Sequence, residues 1–146
     1  MSDLKRFVEA QEHSFFRAPK EIRNGRKQSH WMWYIFPRIQ GLGYSPTATK
    51  YAIRDIQEAK DYLHNGILGP RLEEICRATL EVDSDDPGIV FGYPDDLKLR
   101  SCMTLFEAAD PGNGLFSMVL DKYFNGERDQ KTLDILASQG RKEGDS

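Results

Sequence analysis

Apolar residues recur along the chain at helical spacing, and residues that start or stop helices separate the repeats. Ile56 and Ala59 belong to one apolar face, and Asp55 stands before them, where an N-cap residue accepts hydrogen bonds from free amides. Ser45 and Pro46 combine an N-cap with a proline at the first helical position. The pattern therefore predicts short helices rather than strands.

Helix-start signals recur through the chain and set the predicted fold class. They occur near residues 3, 19, 29, 45, 55, 69, 94, 113 and 129. The only β-like stretch, residues 88–92, has no second alternating run to pair with, so we expect at most a vestigial strand there. We predict an all-α fold, a single compact domain of about eight to ten short helices in an irregular orthogonal arrangement. The domain should cover residues 1–140, and residues 141–146 should form a flexible polar tail.

Length and composition fit one globular domain outside the membrane. With 146 residues, 39% of them hydrophobic, the chain can bury a core but is too short for two ordinary domains. No run reaches the roughly 20 apolar residues of a membrane span, and the N-terminus lacks an apolar signal segment. These features predict a soluble, cytoplasmic protein with no membrane partner. Cys76 and Cys102 lie far apart without a ligand motif, so we predict buried thiols, no metal site and no cofactor.

The net charge of −3 conceals a basic segment near the start of the chain. Residues 1–50 carry nine Lys and Arg against four Asp and Glu, whereas residues 51–146 carry eleven against nineteen. Residues 17–38 alone hold six basic residues and one acid, Glu21. Such a segment attracts phosphates or carboxylates, or it is simply a solvated helix face.

The candidate chemistry is concentrated in residues 25–37, where both tryptophans lie close to other aromatic residues. On a helix, His30, Trp33 and Tyr34 share one side. These three side chains are common where an apolar pocket meets a ligand, and they are also compatible with a hydrogen-bonded core. The rest of the aromatic run is predicted to be core: Trp31, Met32 and Ile35.

Two basic residues precede this aromatic run. Arg26 and Lys27 come just before Ser29, which is predicted to cap a helix. That helix should end by Phe36, because Pro37 cannot continue it. A bound anion could use both charges together with the free amides at the helix start.

A second candidate cluster lies at the start of the helix predicted from Pro94. Asp95 falls in the first helical turn, where a carboxylate stabilises the helix and is also placed for acid–base chemistry. Lys98 shares a side with Asp95, Ser101 and Cys102, which leaves a surface ion pair and a ligand-binding face as alternatives. Cys102 itself is predicted to be core. Because both clusters mix buried-type residues with ionisable groups, we predict that they converge.

Four strings of residues, in order along the chain, carry a resemblance to a known family. They are Gly25-Arg-Lys-x-Ser-His-Trp-Met-Trp-Tyr-x-Phe-Pro37, Leu68-Gly69-x-Arg71-Leu72, Phe91-Gly92-x-x-Asp95-x-x-Lys98-x-x-Ser101-x-Met103-Thr104-Leu105-Phe106 and Phe124-x-Gly-x-x-Asp129-x-x-Thr132-Leu133. Over residues 3–137 the chain resembles a bacterial family known as domain of unknown function eighteen-ten, some of whose members carry the label calpastatin. The resemblance implies an all-α fold of short helices and no settled activity.

A weaker resemblance in layout links the chain to the NADAR proteins, small α-helical enzymes that act on N-glycosidic bonds of ribosyl compounds. It suggests a small enzyme or sensor that binds an anionic ribosyl or nucleotide-like ligand, and, if the protein is an enzyme, hydrolysis of an N-glycosidic bond as its reaction. In that hypothesis Asp95 is the carboxylate near the oxocarbenium-like state, and His30 is the proton donor. The expected ligand-binding residues are Arg26, Lys27, Arg71 and Lys98 for phosphate and Trp33 or Tyr34 for stacking on a base.

The alternative is a non-catalytic interaction module whose aromatic helix is core and whose basic segment 17–38 docks an acidic partner. The acidic balance of the whole chain argues against polymeric nucleic acid as that partner. The sequence indicates no oligomeric state. A pocket shared by the two clusters favours the ligand hypothesis, whereas a flat basic surface favours the module.

Overall fold

Ten helices and no strand make up the described part of the chain, residues 3–144 of a computed structural model, with side chains described through residue 140. The helices are α1 (Lys5–Gln11), α2 (Arg17–Arg23), α3 (Met32–Ile35), α4 (Pro46–Lys50), α5 (Ile56–His64), α6 (Leu68–Glu81), α7 (Pro87–Val90), α8 (Asp95–Ala109), α9 (Gly114–Phe124) and α10 (Gln130–Gly144). The predicted all-α fold is therefore confirmed. Within these residues every helix is either too short or too polar to span a lipid bilayer.

Short polar side chains at helix starts explain several of the boundaries. The Ser45 hydroxyl accepts a hydrogen bond from the Ala48 amide at 3.1 Å, at the start of α4. The Asp55 carboxylate accepts one from the Glu58 amide at 2.8 Å, at the start of α5. The side-chain oxygen of Asn113 plays the same part for α9. These caps satisfy amides that have no partner inside their helix, and the corresponding predicted starts are confirmed.

Other boundaries differ from the predicted ones by a few residues. α1 begins at Lys5 rather than near residue 3. α6 begins at Leu68 rather than near residue 69, because the side-chain oxygen of Asn65 accepts hydrogen bonds from the amides of residues 67 and 68. α10 continues as far as Gly144, past residue 141, where the polar tail was expected to begin. Residues 1, 2, 145 and 146 lie outside the described residues.

The β-like stretch at residues 88–92 does not form a strand. Its first half belongs to α7, whose cap Asp86 accepts a hydrogen bond from the amide two residues later at 2.9 Å. Pro87 supplies the backbone angle that suits a first helical position. An isolated parallel bridge joins Ile39 and Ile53 instead. The cap and the proline outweigh the strand preference of the β-branched residues, so the expectation of at most a vestigial strand there is confirmed.

α8 lies at the centre of the fold, packed against α5, α7, α9 and α10. The side chains of residues 101–106 are all buried, as expected for a helix that is surrounded on every side. Aromatic contacts cross the core at this level. The ring centre of Tyr62 lies 5.3 Å from that of Phe7 and 5.2 Å from that of Phe106. The start of α8, by contrast, is partly exposed and carries the ionisable residues of the second cluster.

Buried or partly buried charges hold the surrounding helices in place. Glu58, whose side chain is 1% exposed, pairs with Arg6 at 3.1 Å and with Arg54 at 3.2 Å, which joins α1 to α5. The Lys122 ammonium of α9 donates hydrogen bonds to carbonyls at the end of α6, where intrahelical partners run out. Those carbonyls belong to Thr79, Leu80 and Val82.

Candidate functional site

A single carboxylate organises the segment between α2 and α3. One oxygen of Glu21 accepts hydrogen bonds from the amides of Gln28 at 2.7 Å and Ser29 at 2.9 Å, and from the Trp31 indole at 3.0 Å. Its other oxygen accepts from the Ser29 hydroxyl at 2.7 Å. The prediction that Ser29 caps the next helix is therefore wrong: α3 begins only at Met32. The helix start that was expected to offer free amides to an anion after Ser29 is therefore absent, and Glu21 takes the amides of Gln28 and Ser29.

These contacts explain the acidity of Glu21. Burial by itself raises the pKa of the carboxyl group, but the hydrogen bonds from Ser29, Gln28 and Trp31 favour the charged form more strongly. The pKa of Glu21 consequently lies below its ordinary value. An ionised Glu21 thus stabilises the segment that carries Lys27.

We expect Glu21→Gln to lower the free energy of unfolding by about 1–2 kcal/mol, because the amide replaces one accepting oxygen with a donor. The loss should shrink in acid. A carboxyl group whose pKa is lowered by folding stabilises the protein above its ordinary pKa, and that contribution disappears as the pH falls through the lower folded-state value. Urea unfolding at about pH 7 and about pH 3 measures both effects.

Glu12→Gln is the matched control, because Glu12 is exposed just after α1. We expect this variant to unfold as the wild type does at both pH values. A Glu21→Gln loss no larger than that of the control would show that Glu21 does not hold the segment.

The two clusters found in the sequence meet around Asp95. The Lys27 ammonium lies 2.8 Å from Asp95 Oδ2, and the Lys98 ammonium lies 3.3 Å from Oδ1. The Lys27 side chain is 8% exposed, Asp95 is 20% exposed and Lys98 is 17% exposed. The Lys27 amide also donates to the Val90 carbonyl at 2.6 Å, which fixes its segment against α7. We call Lys27, Asp95 and Lys98 the lysine–aspartate cluster.

Both tryptophans of the protein lie against this cluster. The Lys98 ammonium is 4.8 Å from the centre of the Trp33 ring, and the Lys27 ammonium is 5.2 Å from that of Trp31. Ammonium groups at this distance are attracted to the ring face. Trp31 is buried, as predicted, together with Met32 and Ile35, whereas Trp33 is partly exposed. The structure therefore brings the aromatic run and the start of α8 together.

A narrow cavity of about 20 Å³ lies beside the cluster, with Trp33, Arg38 and Lys98 in its wall. Arg38 approaches the turn at Gly43 closely: a Cβ atom there would lie 3.1 Å from Arg38 Nη2. Burial lowers the pKa of the Arg38 guanidinium, while Cys102, Asp129 and Asp95 act in the opposite direction. The cavity has room for little more than one water molecule. A larger ligand must bind beside it.

An open cleft adjoins this cavity through two shared residues, Trp33 and Tyr51. It has a volume of about 370 Å³ and is lined mainly by His30, Trp33, Tyr34, Lys50 and Tyr51, and we call it the aromatic cleft. The Tyr34 ring lies 5.4 Å from that of Tyr51. Its hydroxyl is 2.9 Å from the Ser14 hydroxyl. The cleft thus presents aromatic rings to solvent next to a cation, Lys98.

The other candidate residues take separate positions. His30 is exposed at the edge of the aromatic cleft, and among the described residues it forms no hydrogen bond or ion pair with Asp95. Arg26 lines a different cleft, with Lys27 and Ile89. Arg71 packs its guanidinium 5.2 Å from the Phe15 ring and reaches Gln11 at 3.5 Å. Arg26 and Lys27 therefore share one cleft, whereas His30 lies in another.

Sequence reasoning missed three residues that shape this region. Glu21 was recognisable only as the single acid of the basic segment 17–38. Arg38 carried no motif of its own, and Tyr51 reaches the aromatic cleft through the path of the chain after α4. The partners of Glu21 lie seven to ten residues further along the chain, in a segment without regular structure, and helical spacing does not encode such contacts.

The described residues contain no group of side chains suited to binding a metal ion. Among the described side chains no three His, Cys, Asp or Glu residues are grouped closely enough to hold a metal ion. Cys76 and Cys102 are buried free thiols, as predicted, and burial raises the pKa of both. Neither thiol is placed to act as a nucleophile.

The fold and the site together define a small all-α protein with a cation-lined aromatic cleft. The chain belongs to the family described as "Protein of unknown function (DUF1810)", whose model matches residues 1–136, which confirms the resemblance stated from the motifs. A solved structure, that of the conserved hypothetical protein Rv1873 from Mycobacterium tuberculosis, is similar to it with a TM-score of 0.90 and 46% sequence identity. The match covers 92% of this chain and 96% of that chain. No match is found among curated proteins.

Proposed function

We propose that the protein binds a small anionic ligand of ribosyl or nucleotide-like character where the aromatic cleft meets the lysine–aspartate cluster. The observation that carries this proposal is the position of Lys98, 4.8 Å from the ring centre of Trp33. Trp33 offers a stacking surface to the cleft, and Lys98 offers a positive charge beside it. A nucleotide needs both features close together, an aromatic ring on which its base stacks and a positive charge that binds its phosphate.

The size and charge of the region support the same proposal. The aromatic cleft, of about 370 Å³, lies within the range of small-molecule sites, whereas the narrow cavity does not. Two lysines face the single carboxylate of Asp95, so the cluster keeps a net positive charge. Lys50, in the wall of the cleft, adds a further cation.

The alternative of a basic docking segment receives less support. Of the six basic residues between 17 and 38, Lys27 turns inward to Asp95 and Arg38 lines the narrow cavity. Arg23 pairs with Glu81 at 3.1 Å. The segment therefore offers fewer of its six charges to a partner than the sequence suggests, since Arg17, Lys20, Arg23 and Arg26 alone are exposed.

Hydrolysis of an N-glycosidic bond is the finer form of the proposal. Asp95 would face the oxocarbenium-like state, and His30 would protonate the leaving base. Both Asp95 oxygens already face ammonium groups, so the phosphate of a ligand would have to draw one lysine away before Asp95 could act. The binding step therefore comes first in any test.

We expect AMP to raise the melting temperature of the wild type more than adenosine does, because only AMP carries the phosphate. A ligand at about 100 times its Kd stabilises a protein by about 2.7 kcal/mol, which a thermal melt detects readily. Lys98→Gln should weaken AMP binding about tenfold through loss of one charge-assisted contact. Calorimetric titration of both proteins measures the change.

Lys60→Gln is the control for the loss of one positive charge, because Lys60 is exposed on α5. Its affinity for AMP should match that of the wild type. Equal affinities of Lys98→Gln and Lys60→Gln, or the absence of any response to nucleotides and sugar phosphates, would refute the proposed site. Chromatography of the same AMP mixtures tests the finer proposal, since hydrolysis releases free adenine.

A further inference from the structure

A second cleft, which we call the arginine cleft, also has Arg38 in its wall. It has a volume of about 440 Å³, within the range of small-molecule sites. Its polar wall comes from Arg38, Arg100, Ser101, Arg128, Asp129 and Lys131, and Leu42 and Leu97 add apolar surface. Four cations therefore surround one carboxylate.

Two of these cations, Arg38 and Arg100, are partly buried and poorly paired, although the Arg100 guanidinium also lies 5.9 Å from the centre of the Phe124 ring. The Arg38 side chain has neither a hydrogen bond nor an ion pair with any described residue. Arg100 Nε is buried with no hydrogen-bond partner. The carboxylate nearest to Arg100 belongs to Glu127, which lies 3.9 Å away and is 76% exposed. A buried donor without a partner costs free energy, so a bound acceptor would stabilise the Arg100 guanidinium. The same acceptor would give the Arg38 guanidinium its first partner among the described residues.

The other two cations of the arginine cleft, Arg128 and Lys131, differ in whether they have an ion-pair partner. Arg128 is satisfied, because both carboxylate oxygens of Glu107 accept from its guanidinium. Lys131 is exposed and has no ion pair among the described residues. Its charge therefore stands at the rim of the cleft.

The carboxylate in the cleft does not neutralise these cations directly. Asp129 Oδ2 accepts hydrogen bonds from the Ser101 hydroxyl at 2.9 Å and from the Thr132 hydroxyl at 2.6 Å. The same oxygen accepts a hydrogen bond from the Thr132 amide at 3.3 Å, and in this way Asp129 caps the start of α10. No ion pair joins Asp129 to Arg38 or Arg100 in the described part of the chain. Asp129 is thus engaged in holding α10 against α8.

We propose that the arginine cleft binds the phosphoryl group of a small phosphate ester. Arg38 and Arg100 donate to the phosphate oxygens, for which the planar guanidinium is well matched, and Lys131 adds charge at the rim. Leu42 and Leu97 face the carbon skeleton of the ester. The cleft is concave, and Glu107 and Glu127 flank it, which disfavours a long polyanion. The inference does not depend on the proposed function, because only Arg38 is shared with the narrow cavity.

Calorimetric titration with glycerol 3-phosphate tests this site. The wild type should bind saturably, and Arg100→Gln should weaken binding about tenfold or more. Lys131→Gln should weaken it about threefold, as expected for an exposed charge, and its exposure makes a folding defect an implausible cause. Arg77→Gln is the control, because Arg77 is exposed on α6 and pairs with Glu73 outside the cleft. It should bind as the wild type does.

Three results would overturn the inference. The first is the absence of saturable binding to the wild type. The second is loss of binding in Lys98→Gln with full binding in Arg100→Gln and Lys131→Gln, which would move the phosphate to the lysine–aspartate cluster and support the proposed function alone. The third is tighter binding of a single-stranded oligonucleotide than of glycerol 3-phosphate, with a steep salt dependence, which would identify a polyanion as the occupant.

Discussion

Asp95→Ala is expected to lower the free energy of unfolding by about 3 kcal/mol. The substitution leaves the ammonium groups of Lys27 and Lys98 without a carboxylate, and these side chains are only 8% and 17% exposed. Removing one partner from a buried ion pair costs more than the pair contributes, because the remaining charge has lost its water as well as its partner. Lys98 and Asp95 keep some solvent contact, which places the effect at the lower end of that range. Urea unfolding of the variant and the wild type measures the difference.

Two further variants make the Asp95 result specific. Asp96→Ala removes the neighbouring first-turn carboxylate and should cost less than about 1 kcal/mol. Among the described residues, that carboxylate accepts a hydrogen bond only from the adjacent Leu97 amide. Adding Lys27→Met to Asp95→Ala removes the more buried ammonium group and should restore part of the stability. If Asp95→Ala lowers the free energy of unfolding no more than Asp96→Ala does, the ammonium groups of the two lysines become hydrated in the variant. The lysine–aspartate cluster then does not stabilise the fold.

The fold was predictable because its boundaries are signalled locally. The side chains of Ser45, Asp55 and Asn113 bind amides within three residues of themselves, so the sequence alone identifies those helix starts. The stretch at 88–92 shows the limit of such signals. Two of them competed there, and Asp86 with Pro87 outweighed the β-branched residues.

The candidate site was predictable only in part. Asp95 and Lys98 are three residues apart on one helix, so their ion pair follows from helical geometry. Lys27 reaches the same carboxylate from a distant segment, and Glu21 shapes that segment through hydrogen bonds that no spacing rule anticipates. The mixture of aromatic and ionisable residues indicated that the clusters would meet. It did not indicate which of the charged residues would form ion pairs with each other instead of remaining available to a ligand.

Gly69→Ala is expected to destabilise the protein by about 3 kcal/mol, although alanine is by far the better helix former. Gly69 is the second residue of α6, and a Cβ atom there would lie 2.1 Å from the Leu63 carbonyl oxygen and 3.0 Å from its carbon. Both atoms belong to the backbone of α5, so no rotamer change relieves the clash. The helices must separate, and the packing of α5 and α6 against each other must loosen.

Gly114→Ala is the matched control, because Gly114 is the first residue of α9 and a Cβ atom there would meet nothing within 4 Å. The same chemical change should then stabilise the protein, by up to about 1 kcal/mol, through helix propensity and the lower entropy of the unfolded chain. Opposite signs in urea unfolding would show that close backbone approach decides the outcome at Gly69. A loss of less than about 1 kcal/mol for Gly69→Ala would mean that α5 and α6 can move apart at little cost. The sequence marked Gly69 only as a helix start, and its role in packing arises from the neighbouring turn of α5.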